Sequence, residues 1–191
     1  MNQEEGGFGR PTWQAPEGTI VGDYRVKNGY LYLTLRDIDP KRQRPSGSAK
    51  NFLVLDVRNP LQIRQVSSLK LSDNAFRLYL NQDRAYVGFI NGGSAIIDIS
   101  NPQSPVLEST YQEKSGEQNS PYLLGHTGNT LILATWQPAV LYNIYGNDLY
   151  LVDKPPAQPI ELIFVDASQP KHPVRTGAYR FPENKVLPWQ V

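Results

Sequence analysis

Short apolar runs separated by turn residues recur along the chain. Three segments share one pattern: an apolar run, an aspartate, three residues, a proline, and a second strand-like segment. Such runs, bounded by turn formers, are typical of β-strands. A weaker copy at residues 149–162 places its proline too early. The three full copies are residues 51–66 (NFLVLDVRNPLQIRQV), 94–109 (SAIIDISNPQSPVLES) and 162–177 (LIFVDASQPKHPVRTG).

A second pattern precedes the first and consists of two or three turn formers followed by a strand of Leu, Tyr, Val or Ile. Asn-Gly and Gly-Asn favour tight hairpin turns because these residues tolerate positive φ. No segment has a sustained helical period of apolar residues, so we expect almost no helix. The second pattern occupies residues 27–35, 81–89, 127–135 and 145–153.

Together the two patterns define a unit of strand, tight turn, strand, variable loop, strand, aspartate turn and strand. Four strands in about 40–50 residues are typical of a propeller blade. The sequence therefore predicts an all-β fold, a β-propeller or partial propeller-like array of three to four four-stranded blades. Residues 1–18 are expected to form an N-terminal arm, poorly ordered or lying on the surface, and residues 19–191 the blades. The blade boundaries, which overlap because the third unit is ambiguous, are about 20–72, 73–113, 120–153 and 140–181.

Residues 84–111 resemble the LVIVD repeat of bacterial and archaeal β-propellers. In that family a strand of the type aYVA precedes an apolar strand ending in aspartate, an Asn-Pro turn and a further strand. RAYVGF and AIIDISNPQSPVLESTY fit this description closely, and residues 29–71 and 149–179 are looser copies. The resemblance implies a propeller and an extracytoplasmic or cell-surface setting.

Charge and composition narrow the classes of partner. Lys plus Arg number 19 against 18 Asp plus Glu, so we expect no nucleic-acid partner, which would need a strong basic field. The chain has no cysteine, which excludes disulfides and thiolate chemistry. No apolar run approaches the roughly 18 residues of a membrane span, so direct membrane insertion is not expected. Residues 1–9 lack the features of a signal peptide, which leaves a cytoplasmic location open.

The recurring aspartates are candidates for chemistry, but a catalytic residue has no need to recur in every blade. An aspartate can accept backbone N–H bonds from residues two or three ahead and so close a turn. The proline that follows stiffens the exit because its φ is fixed. We therefore assign a structural turn role to Asp56, Asp98, Asp166, Pro60, Pro102 and Pro170.

Other candidate sites are weak. His126 and His172 occupy different places in the repeat, and no third metal ligand is suggested. Asp37 and Asp39 lie close together, but cations rather than further acidic ligands follow them. Since no nucleophile, phosphate-loop or metal motif is present, we predict no catalytic residue, no cofactor and no metal.

Two groups of residues are candidates for an interaction surface. Lys41, Arg42, Arg44 and Lys50 form a basic cluster that can dock an acidic partner or simply be solvated. All three tryptophans precede glutamine outside the strand motifs; tryptophan is enriched at binding hot spots, but here it can equally pack loops onto blade edges. The candidate interaction surface is Arg42, Arg44, Trp13, Trp136 and Trp189.

These observations favour a non-catalytic interaction or scaffold module that is a subunit or fragment of a larger assembly. Propellers typically have about 4–8 blades, so three to four are few for a closed ring. The expected partner is another protein chain, or a second copy that completes a ring by self-association. The alternative is an enzyme, or a binder of a small ligand or carbohydrate, that uses a central propeller channel.

Overall fold

The structure is a computed structural model that describes residues 13–39, 44–45, 51–72, 75–89, 92–113, 121–135, 140–141, 150–151 and 161–181. Within these ranges the chain forms strands and no helix, so the predicted all-β class is confirmed. Accordingly, the described ranges hold no helix of the length and apolarity that crossing a bilayer requires. The strands are β1 (Thr19–Lys27), β2 (Tyr30–Asp39), β3 (Arg44–Pro45), β4 (Asn51–Asp56), β5 (Arg64–Lys70), β6 (Ala75–Asn81), β7 (Arg84–Phe89), β8 (Ser94–Asp98), β9 (Val106–Tyr111), β10 (Tyr122–Thr127), β11 (Thr130–Ala134), β12 (Val140–Leu141), β13 (Tyr150–Leu151), β14 (Glu161–Asp166) and β15 (Val174–Arg180).

Twelve of these strands form three antiparallel four-stranded sheets. Blade 1 has the order β1-β2-β4-β5, blade 2 the order β6-β7-β8-β9, and blade 3 the order β10-β11-β14-β15. The short strand β3 pairs with β2, and β12 pairs with β13. Each blade is a meander from its first strand to its last, which is the arrangement expected of a partial propeller-like array.

The three blades share one register. The recurring aspartate ends the third strand and lies opposite the first residue of the second strand, as Asp98 lies opposite Arg84 in blade 2. The pairing of the third and fourth strands shifts by one residue at the same place in each blade, for example between Ile96 and Ile97. The repeat in the sequence is therefore a repeat in the hydrogen-bonded structure.

Blade 3 is assembled from two separated parts of the chain. The hairpin of β10 and β11 pairs directly with β14, although residues 135–160 intervene between β11 and β14. The overlapping units predicted at 120–153 and 140–181 thus contribute to a single described sheet. Asp153, which belongs to the weaker copy of the motif, lies outside the described residues.

The core lies between the blades, because successive residues of a strand face opposite sides of its sheet. We call the face of a blade toward the preceding blade proximal and the opposite face distal. The distal face of blade 1 buries Tyr32, Phe52 and Val54 against the proximal face of blade 2, where Val87 and Ile97 lie. A second cluster joins the distal face of blade 2 to the proximal face of blade 3. The apolar runs of the third strands of blades 1 and 2 are therefore buried on both sides.

Candidate interaction surface

Each recurring aspartate accepts a backbone N–H bond from the residue two positions ahead. The bonds run from Arg58 to Asp56 at 3.1 Å, and from Ser100 to Asp98 and Ser168 to Asp166 at 2.8 Å each. The N–H bond from Ser100 is the main reason that the pKa of Asp98 lies below its usual range. This geometry is that of a turn closed by the aspartate side chain.

The Asp56 turn differs from the other two because a guanidinium closes it. Arg58 donates from Nε and Nη2 to the two carboxylate oxygens of Asp56, at 2.9 and 2.6 Å. These bonds hold the pKa of Asp56 far below its usual range. Arg58 also lies over the ring of Tyr30, with its guanidinium carbon 5.3 Å from the ring centroid. The sequence motif alone gave no sign of this additional clamp.

The proline of each turn marks where one blade docks onto the preceding one. Ser67 Oγ, on the last strand of blade 1, donates to the carbonyl of Pro102 in blade 2 at 2.7 Å. Ser109 Oγ, on the last strand of blade 2, donates in the same way to Pro170 in blade 3. Both serines occupy the same place relative to the turn aspartate of their own blade. We call this repeated contact the serine–proline lock.

The same docking buries an apolar residue two positions after each serine. Leu69 of blade 1 packs against the core cluster shared with blade 2. Tyr111 of blade 2 packs against the cluster shared with blade 3, and this burial, together with Glu113, raises the pKa of Tyr111 to about 12. Each interface between described blades therefore contains a lock, an apolar sheet face and this additional apolar side chain.

On the distal face of blade 3 the equivalent positions have no described blade opposite them. Tyr179, which corresponds to Leu69 and Tyr111, is 53% exposed. Gly177 stands where the other two blades have the lock serine, and no atom lies within 4 Å of the place where its Cβ would be. We call the following set the distal face of blade 3: Ile132, Leu162, Phe164, Gly177 and Tyr179, of which the first three are half-buried.

The proximal face of blade 1 is covered differently. Four of its leucines are at most 3% exposed, namely Leu33, Leu35, Leu53 and Leu55. Trp13 and Ala15, from the segment before β1, pack against them in the place that a preceding blade would occupy. The turn of blade 1 remains uncovered, since Pro60 is exposed whereas Pro102 and Pro170 are half-buried.

Trp13 is therefore half-buried on a blade face, and the other predicted interaction residues are only partly described. Arg44 lies in β3, which pairs with β2, but its side chain is not described. Arg42, Trp136 and Trp189 lie outside the described residues. The structure thus does not bring the five predicted residues together into one described surface.

Neither histidine lies near a set of metal ligands in the described part of the chain. The ring of His126 packs edge-on against Tyr79 and Tyr86, and its Nδ1 lies 3.1 Å from the carbonyl oxygen of Gly128. His172 is exposed in the Pro170 turn, where its N–H donates to the carbonyl of Gln169.

An ion pair between blades 2 and 3 was not predicted. Arg175 on β15 donates to Glu113, just beyond β9, and to Glu161 on β14, the latter at 2.8 Å. Burial alone would lower the pKa of Arg175, but the two carboxylates outweigh it and raise that pKa. In the interface between blades 1 and 2 the corresponding residues are apolar, Leu71 and Leu107. Arg175 gave no local signal in the sequence because its partner Glu113 belongs to another unit.

The Asp56 turn also lines an open depression of about 580 Å³. That volume is in the range of small-ligand pockets, which generally enclose most of the ligand. Here the side chain of Arg58 is 58% exposed and Leu61 is 80% exposed, so a ligand would remain largely in solvent.

Residues 74–113 match the LVIVD repeat. This range contains all four strands of blade 2, so the sequence match and the structural unit coincide. The resemblance suggested by the sequence is confirmed for this segment. A comparison with curated proteins finds no match for the chain.

Proposed function

We propose that this chain is a non-catalytic interaction or scaffold module of the propeller type, which acts as a subunit of a larger assembly through the exposed end of its blade array. The observation that carries this proposal is the distal face of blade 3. Its apolar side chains are partly exposed, whereas the residues at the same positions of blades 1 and 2 pack into the interfaces between described blades.

The composition of this face supports binding to a protein. Tyr179 packs edge-on against Phe181 at a centroid distance of 5.0 Å, and it lies opposite the half-buried Leu162 on the neighbouring strand. Aromatic residues are enriched in protein interfaces, and an apolar patch left on a surface commonly marks such an interface.

Site-specific photo-crosslinking in the cells that naturally produce the chain tests this proposal. The variant Tyr179→p-benzoylphenylalanine should give discrete cross-linked products containing a protein. The matched control is Val106→p-benzoylphenylalanine, because Val106 is a strand residue of blade 2 and is 54% exposed, about as much as Tyr179. Products of equal yield from both positions, or none from position 179, would contradict the proposal and favour a binder of small ligands.

We also propose an extracytoplasmic, cell-surface location. Its support is the match of residues 74–113 to the LVIVD repeat, since the resemblance implies that setting. Protease added to intact producing cells should degrade the chain while a cytoplasmic marker remains intact. Protection of the chain until the cells are lysed would refute this location and leave the interaction proposal unaffected.

A further inference from the structure

We propose that the partner of the distal face of blade 3 is the first blade of a second copy of this chain, and that two copies close head to tail into a six-bladed ring. This inference rests on the proposed function, since it names the partner for the same surface. It follows from an interface that the chain already makes twice.

The two interfaces between described blades supply the template. In each interface the distal face carries the lock serine and an apolar side chain. The proximal face opposite it carries aliphatic residues and a turn, and the carbonyl of the proline in that turn accepts a hydrogen bond from the serine hydroxyl. A surface that carries the distal half of this template therefore fits a blade with the proximal half.

Both halves are present on this chain without a described blade opposite them. Ile132, Phe164 and Tyr179 provide the apolar part of the distal half on blade 3. Blade 1 provides the proximal half, with buried leucines on its face and an exposed Pro60 in its turn. Gln65 of blade 1 is exposed. It holds the position in the repeat that Leu107 has in blade 2 and Arg175 in blade 3, and those two residues contact the end of the preceding blade.

The stoichiometry follows from the number of described blades. An interface between two different surfaces produces a ring when the rotation closes and a filament when it does not. Two copies of three blades give six, which lies within the usual range of about 4–8 blades in closed propellers. The expected product is therefore a discrete dimer with two equivalent interfaces.

The segment that contains Trp13 and Ala15 competes with this docking. It covers the leucines of blade 1 that an incoming blade 3 would have to contact. Release of this segment is therefore part of the association, and weakening its packing should favour the dimer. Direct pairing of two distal faces would not involve Trp13.

Sedimentation velocity of the purified full chain over a dilution series tests the inference. We expect a monomer–dimer equilibrium with no larger species. Tyr179→Asp should abolish the dimer, whereas Val106→Asp, at an exposed position on blade 2, should leave it unchanged. Trp13→Ala should lower the dissociation constant of the dimer.

A gain of affinity provides the sharper test. Gly177→Ser introduces the lock hydroxyl, and the backbone at Gly177 has a φ that serine adopts without strain and free space for a Cβ. A net neutral hydrogen bond changes affinity by about 2- to 10-fold, so the two interfaces of the ring should together tighten the dimer about 5- to 100-fold. The control is Gly177→Ala, which adds the same Cβ in the same free space without the hydroxyl and should leave the affinity nearly unchanged.

The outcomes separate the possibilities. A dimer that Tyr179→Asp abolishes and that Gly177→Ser and Trp13→Ala tighten supports the head-to-tail ring. A chain that stays monomeric even with Trp13→Ala and Gly177→Ser overturns it, and so does a dimer that ignores those two substitutions. Open-ended polymers overturn the ring closure. Cross-links from position 179 to a different protein would still support the proposed function if the self-association fails.

Discussion

Replacement of Ser67 by alanine measures the energy of one serine–proline lock. The hydroxyl of Ser67 donates to the carbonyl of Pro102 at 2.7 Å in a partly buried place between blades 1 and 2. A neutral intramolecular hydrogen bond stabilises a protein by about 0.5–1.5 kcal/mol net. Since Pro102 is half-buried, water can reach its carbonyl after the substitution, so no larger desolvation penalty is expected. Ser67→Ala should therefore lower the free energy of unfolding by about 1 kcal/mol.

Urea denaturation followed by circular dichroism and tryptophan fluorescence is the appropriate assay. The midpoint should fall while the dependence on urea stays the same, because the surface exposed on unfolding is nearly unchanged. Ser68→Ala is the matched control, since Ser68 is the next residue of the same strand and is exposed. Its effect should remain within about 0.5 kcal/mol.

The second lock allows an independent repeat of the measurement. Ser109→Ala removes the equivalent bond to Pro170, between blades 2 and 3. The two locks lie in separate interfaces, so the double variant should lose about 2 kcal/mol, the sum of the two single effects. If Ser67→Ala and Ser109→Ala are as stable as Ser68→Ala, the locks do not hold the blades together and the template drawn from them is wrong.

Three further predictions concern single positions. Asp98→Ala should lower the free energy of unfolding by about 0.5–2 kcal/mol, by analogy with a lost capping bond, without affecting binding. Loss of binding at an unchanged melting temperature would make Asp98 a functional residue. The wild type should be more stable than Asp56→Asn at neutral pH, and this difference should shrink as pH falls below about 4, because the pKa of Asp56 is depressed in the folded state. A difference that stays independent of pH in an acid titration would refute the clamp. Gly88→Ala should lower the free energy of unfolding, measured by chemical denaturation, by about 1–3 kcal/mol, because the added Cβ would lie 2.9 Å from Cβ of Leu123. The control is Gly125→Ala, whose Cβ meets no atom within 4 Å, and equal stability of the two variants would show that blades 2 and 3 can move apart.

The blades could be predicted from the sequence because their signals are local. Turn residues such as Asn28 and Gly29 have positive φ in the structure, as a tight hairpin turn requires. The spacing of Asp98 and Pro102 identified a turn that the hydrogen bond to Ser100 now describes in detail. Each of these features depends on neighbours within a few residues along the chain.

The contacts between blades and the pairing of distant strands within blade 3 could not be predicted, because both depend on residues far apart in sequence. The pairing of β11 with β14 crosses residues 135–160, and the apolar pattern alone did not show which strands would become neighbours. The lock serines did leave a signal, since Ser67 and Ser109 occupy the same place in their repeats. It was hidden because the third copy has Gly177 there and because serine is common on exposed strands.

The acceptor of the serine–proline lock is a main-chain carbonyl, which every residue possesses. The amino acids at the tip of the turn can therefore change without removing the bond, and the three tips already differ in charge and polarity, reading RNPLQ, SNPQS and SQPKH. The lock requires a hydroxyl on only one side, and it does not use the side chains at the tip of the turn. An array built in this way can diversify its outer rim while its blades remain in the same order.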